Sequence, residues 1–308
     1  MEFEMPRLLT KEDIVGIFPP VVSPFDANEE LDLESLRREV DFNVSLGVTG
    51  VCVGGSTGEG HALDAQELGQ LVKTAQDVAN GRVPVMAGII TTTTRDAVRK
   101  AKAARDAGAQ ALMVTPPIYQ ICSDDGIYDF YSMIHKESSL PTMVYNVLTN
   151  APATVPLMQR MVANQRETGL IATKESIGGS LETLTELLAT IGDKISVTWA
   201  HDWLLFPGLA IGATGSVSGA AALLPRHCLA MWDAIQSGNL AKAQKLHFVV
   251  TDVCSQISRF NWPAGVKACI NMQEGRNVGP CRAPFNRVPE EQLERIRVAL
   301  KRADAFEF

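Results

Sequence analysis

Residues 83–114 read VPVMAGII TTTTRDAVRKAKAARDAGAQ ALMV, and this stretch decides the fold. The apolar run Val83 to Ile89 has no polar alternation, so it reads as a strand buried on both faces, the signature of a parallel sheet. A polar start leads into an amphipathic stretch, Thr94 to Ala107, which predicts a helix. The run Ala111 to Val114 follows and completes a βαβ unit. The unit recurs upstream as Gly16 to Val22 with helix Asp32 to Leu46, and as Val51 to Val53 with helix Asp64 to Asn80. Within the first of these helices Leu33, Leu36, Val40 and Val44 fall at helical spacing. Downstream it continues with helix Asp124 to Ser138 and the runs Thr142 to Tyr145, Leu170 to Thr173, Ile195 to Thr198 and Gly215 to Val217. Eight units in roughly 210 residues predict an α/β chain folded as a (β/α)8 (TIM) barrel over residues 14–225. A doubly wound sheet would use fewer strands and a G-x-G-x-x-G turn, and none follows any run here. After residue 225 the alternation stops. Arg226 to Gln236, Leu240 to Ile257, Ala264 to Met272 and Pro289 to Arg302 predict a C-terminal helical extension, residues 226–308, packed on the barrel without a linker.

Composition narrows the function. The 308 residues are 46% hydrophobic and carry a net charge of -7, with scattered Lys and Arg, which argues against nucleic acid and anionic membrane surfaces as partners. Six cysteines without a C-x-x-C spacing read as free thiols in a reducing compartment, and Met1 to Asp13 lacks a secretory apolar stretch. Cytoplasmic localisation is expected. Trp203 to Pro225 is uncharged, but its glycines and Pro207 predict a buried helix and strand rather than a membrane span. The five histidines show no H-x-H or H-x-x-x-H spacing, so neither a metal nor a cofactor is expected.

In a barrel the chemistry sits at the C-terminal ends of the strands. The sixth run, Gly169-Leu170-Ile171-Ala172-Thr173, ends in Lys174. An amine there lies in a low-dielectric mouth, where desolvation favours its neutral, nucleophilic form toward a carbonyl. The competing reading is a lysine that snorkels to solvent or pairs with Glu175. Gly54-Gly55-Ser56-Thr57-Gly58-Glu59-Gly60 is either an ordinary turn or an anion nest whose amides and hydroxyls take a carboxylate. Tyr145 and Tyr119 end the fifth run and follow the fourth, where they serve packing or proton relay. His201 and Asp202 close the seventh run. Taken alone, Asp202 reads as a solvated helix N-cap.

Together these segments resemble the pyruvate-dependent class I aldolases, the family of dihydrodipicolinate synthase and N-acetylneuraminate lyase. The resemblance rests on Gly16 to Phe25, Gly54 to Glu59, Val114-Thr115-Pro116-Pro117, Tyr145-Asn146-Val147, Thr173-Lys174-Glu175-Ser176 and Gly279 to Pro284. It implies a homo-oligomer, a dimer or tetramer, with Lys174 as the Schiff-base lysine and Tyr145 as the proton shuttle. Ser56 assists, and Tyr119 is contributed across a dimer interface. It further implies that Gly55, Ser56, Thr57, Ser176, His201, Asp202, Trp203 and Ser218 bind substrate, a 2-keto acid such as pyruvate with an aldehyde. Two departures stand out. Asn150 replaces the arginine expected in a true dihydrodipicolinate synthase, and Ala200-His201-Asp202-Trp203 replaces the Gly-Tyr-Asp-Glu of the sialate lyase. The expected activity is a lyase making or breaking a C-C bond through a lysine enamine. A 2-keto-3-deoxy sugar acid dehydratase using the same imine and a non-catalytic ligand-binding barrel are the alternatives.

Overall fold

The computed structural model describes residues 6–257, 262–285 and 288–308. The described residues form nine strands in chain order: β1 (Gly16–Ile17), β2 (Pro20–Val21), β3 (Val51–Val53), β4 (Val85–Ile89), β5 (Ala111–Val114), β6 (Thr142–Asn146), β7 (Leu170–Glu175), β8 (Ser196–Trp199) and β9 (Gly215–Ser216). Strands β2 to β8 pair in sequence order, all parallel. Strand β1 pairs with β9, Gly16 opposite Gly215. The Thr214 amide donates to Val197 O at 2.9 Å and the Phe18 amide to Ser216 O at 2.9 Å, so β9 bridges β8 and β1 and the sheet curls shut. The first expected strand is therefore split in two. Pro19 and Pro20 have no N–H to donate to a ladder, so pairing changes partner across them.

Alternation along the strands sorts side chains into two layers. Cys52, Met86, Ala111, Met113, Met143, Tyr145, Ala172 and Val217 point inward with Phe18 and Ile14 and fill the barrel. Val53, Ala87, Leu112, Val144, Val197 and Trp199 point outward against the helices. The intervening helices start where the sequence supplies caps. Asp32 accepts from the Ser35 amide ahead of Leu33–Ser45, Asp64 and Glu67 form a capping box on Ala65–Ala79, and Thr93 and Ser123 cap Thr94–Asp106 and Asp124–Ser138.

The uncharged stretch after Trp203 divides into helix Leu205–Ala210, β9 and helix Gly219–Leu223, and among the described residues no helix is long and apolar enough to cross a membrane. The tail forms helices Pro225–Gln236, Leu240–Ile257, Trp262–Asn271 and Glu290–Asp304. Their buried residues Cys228, Val250, Ile270 and Ile296 join the outer core of the barrel in one cluster. Arg276 reinforces the junction: its guanidinium grips the Glu39 carboxylate of the first barrel helix and donates to Ala222 O at 2.9 Å, with both ionic side chains buried.

Candidate active site

Lys174 and Asn146 lie within β7 and β6 rather than after them, so strand alternation fixes where they point. Tyr145 faces Lys174 in the β6–β7 register, and Lys174 faces Thr198 on β8. Both Lys174 (4% exposed) and Tyr145 (6%) are buried, and the Lys174 Nζ sits 3.6 Å from the centre of the Tyr145 ring. The neighbouring Glu175 points the opposite way. Its carboxylate accepts from Asn146 Nδ2 at 2.8 Å and from the Ile177 amide at 2.8 Å. Burial pushes that carboxyl up, against the pull of these donors. The sequence left a Lys174–Glu175 pair open, and the geometry removes it: among the described residues Lys174 forms no ion pair.

Across the mouth, the loop after β3 closes on itself through Glu59 N to Ser56 O (3.1 Å) and Gly60 N to Gly55 O (2.9 Å). It needs its glycines. A Cβ at Gly60 would lie 1.8 Å from Gly54 O, and one at Gly88 of β4 would lie 2.5 Å from the same oxygen. The amides of Ser56, Thr57 and Gly58 have no protein partner among the described residues. Successive N–H groups without a protein partner, with two hydroxyls in the same segment, are the donor chemistry that an anion needs. Lys174 is electrostatically in range of this side of the barrel, since its charge opposes the burial that pushes the Cys52 thiol of β3 up to about 12.

The segment after β8 completes the rim. Asp202 is buried rather than solvated, correcting the sequence expectation: its Oδ1 caps helix Gly219–Leu223 through the Ala220 amide at 2.8 Å. Burial pushes this carboxyl up to about 6, against the Ala220 donor and the Lys174 charge. His201 stacks loosely between Trp199 (6.1 Å) and Trp203 (6.0 Å), and burial lowers its pKa, which favours the neutral ring. His201 Nδ1 and the Ser218 Oγ are buried without a partner among the described residues. Trp203 is 37% exposed and Ser176 is half-buried. Tyr119 is not brought to this centre by its own chain. It is 85% exposed on the loop after β5, with φ of 79°.

Two site-bordering residues had no role in the sequence reading. Glu59, fully buried, forms an ion pair with Lys267 at 2.6 Å. The available signal for Lys267 was that it is the lone charge in helix Trp262–Asn271. Among the described residues no cluster of His, Cys, Asp and Glu is arranged to hold a metal ion.

Residues 13–303 match the model of the dihydrodipicolinate synthetase family. A 4-hydroxy-tetrahydrodipicolinate synthase of Desulforudis audaxviator is 33% identical over 94% of this chain and 98% of its own. Among solved structures, the dihydrodipicolinate synthase of Aquifex aeolicus superposes with a TM-score of 0.88 at 26% identity, over 94% and 98% of the two chains. A prophage protein of E. coli K12 from the same family, crystallised with pyruvate, superposes with a TM-score of 0.88 at 25% identity over 95% and 99%. A closed parallel barrel, a lysine and tyrosine paired in its mouth and similarity along nearly the whole chain converge: this protein belongs to the dihydrodipicolinate synthetase family of lyases.

Proposed function

We propose that Lys174 forms an imine with pyruvate or a related 2-keto acid, and that the chain makes or breaks a C-C bond through the resulting enamine. The observation that carries this is the buried Lys174 amine held against Tyr145, at the end of the barrel where the loop after β3 leaves the Ser56–Gly58 amides without a protein partner among the described residues. The amine lone pair adds to the 2-keto carbon and water leaves, giving the imine. In the cleavage direction the bond beyond C3 breaks, its electrons enter the imine as an enamine and an aldehyde departs. Protonation at C3 and hydrolysis then release the 2-keto acid. Ser56, Thr57 and Gly55 hold the substrate carboxylate, and Tyr145, beside the amine, moves the protons. His201, Asp202, Trp203, Ser176 and Ser218 line the side from which the aldehyde approaches. The likeness to the E. coli protein crystallised with pyruvate supports this choice of substrate.

The curated relatives are named 4-hydroxy-tetrahydrodipicolinate synthases, yet aspartate semialdehyde is not the acceptor in this proposal. Recognition of its carboxylate calls for a forked cation, and residues 146–154 contain none; Asn150 is exposed in a turn. The six free thiols support a cytoplasmic protein. The solvent-exposed Tyr119 supports a homo-oligomer that covers it and brings it to a neighbouring site.

Borohydride reduction in the presence of pyruvate is the test. Mass spectrometry should find the reduced adduct on Lys174, and Lys174→Ala should keep its fold while losing turnover. Aspartate semialdehyde added with pyruvate should give no condensation. Absence of an adduct in the unaltered protein overturns the mechanism, and efficient condensation with the semialdehyde overturns the choice of acceptor.

A further inference from the structure

The Glu59 carboxylate takes no part in the chemistry above, yet it is fully buried at the end of the loop that carries the three open amides. Its backbone is left-handed, with φ of 53°, a conformation that a residue with a Cβ keeps only when its surroundings enforce it. A buried charge also demands a partner. Both demands are met from outside the barrel. Lys267, on helix Trp262–Asn271 of the C-terminal extension, forms an ion pair with its Nζ 2.6 Å from Glu59 Oε1 and donates a hydrogen bond to Pro280 O at 2.7 Å. The other carboxylate oxygen accepts from the Arg282 amide at 3.1 Å. Phe25 lies against both cations, 4.3 Å from the Lys267 Nζ and 4.2 Å from the Arg282 guanidinium, which in turn forms an ion pair with Glu67. On the preceding residue, Gly58 O accepts from the buried Ser23 hydroxyl at 2.6 Å. The loop is thus pinned at residues 58 and 59 by groups from both ends of the chain, while the amides of residues 56–58 stay open.

We propose that the Glu59–Lys267 pair is a positioning device by which the C-terminal extension sets the affinity of the barrel for the carboxylate of its 2-keto acid. An anion gains most from donors that are already aligned, because no ordering then has to be met on binding. Without the pair, residue 59 relaxes out of the left-handed region. The Glu59 N to Ser56 O turn bond transmits that change to the peptides between them. Burial lowers the Lys267 pKa and the Glu59 charge opposes this, in keeping with a pair whose members depend on each other. The proposal rests on reading the Ser56–Gly58 loop as the carboxylate cradle.

The test compares the unaltered protein, Lys267→Arg, Lys267→Met and the double variant Glu59→Gln with Lys267→Met. The double variant leaves no unpaired buried charge, so it stays interpretable if Lys267→Met alone fails to fold. Half-saturation by pyruvate is read from borohydride-trapped adduct against concentration, and in parallel by binding calorimetry. In the double variant the half-saturating concentration should rise roughly tenfold or more, about 1.4 kcal/mol per decade, while the adduct yield at saturation is retained. Lys267→Arg should restore affinity. Methyl pyruvate, which can form the imine but has no anionic carboxylate, should show no such rise, whereas general damage would weaken both ligands. A folded double variant with unchanged pyruvate half-saturation overturns the proposal, as does an equal loss for methyl pyruvate. If the unaltered protein traps no adduct, the imine mechanism fails on its own, and calorimetry still decides the role of the pair.

Discussion

At the scale of single residues, neighbours on one strand end are driven to opposite fates. Lys174 and Glu175 are adjacent, but alternation sends the amine into the barrel and the carboxylate outward to Asn146 and the Ile177 amide. The amine is therefore buried without an ion pair among the described residues. Asp202 shows the same logic for an acid. Its pKa in the folded chain, about 6, lies above its ordinary 3.8, so the folded state binds this proton more tightly than the unfolded state does. Its contribution to stability is full below the ordinary value and is lost as pH rises through about 6. The gap corresponds to at most roughly 3 kcal/mol. Asp202→Asn keeps an oxygen for the Ala220 amide but does not titrate. Relative to the unaltered protein, it should gain stability on the order of 2 kcal/mol between about pH 4 and pH 7. Thermal melts across that range check this, and a pH-independent difference would contradict the burial account.

At the scale of elements, closure of the barrel depends on the contact of two very short strands, β1 and β9. A Cβ at Gly215 would lie 2.1 Å from Gly16 O and 2.5 Å from Gly16 N, with backbone atoms that cannot swing aside as a side chain could. Gly215→Ala should therefore push β9 off β1 at the seam. The expected cost is about 1–3 kcal/mol, as for other overpacked sites, read as a lower denaturation midpoint in urea. The loop after β3 obeys the same constraint, since a Cβ at Gly60 or Gly88 would collide with Gly54 O.

For the whole molecule, the extension and the barrel share a core and also share buried charge. Arg276 meets Glu39 of the first barrel helix with both side chains buried, while its remaining donors reach Ala222 O and Leu223 O. Arg276→Met leaves Glu39 buried and uncompensated, and should cost about 3–5 kcal/mol in chemical denaturation. The double variant Glu39→Leu with Arg276→Met should recover most of that loss, because removing both charges also removes the desolvation cost. Full loss in both variants would mean that the guanidinium matters through its contacts other than Glu39: Ala222 O, Leu223 O, Gln273 and the Phe42 ring. The Glu59–Lys267 pair joins the same two parts of the chain at the loop after β3, so the extension meets the barrel through buried charge at two junctions.

The sequence by itself determined the architecture, and it put Lys174 and Tyr145 at the ends of adjacent strands, where the structure holds them together. Apolar runs, helical spacing and capping residues are local patterns, set by neighbours within a turn or a strand, so the eight βα units and the Lys174 and Tyr145 positions were legible in order along the chain. The split of the first strand was legible in part, because Pro19 and Pro20 cannot donate, but its change of partner to β9 depends on how the sheet curls. Only the tertiary structure decided that Glu175 turns away from Lys174, that Asp202 is buried rather than solvated, and that Tyr119 stands outside the site of its own chain. It also decided that Glu59 is partnered by a lysine from the far end of the sequence. Burial and ion pairing are properties of long-range packing, and residues remote in sequence carry no local periodicity that announces their contact.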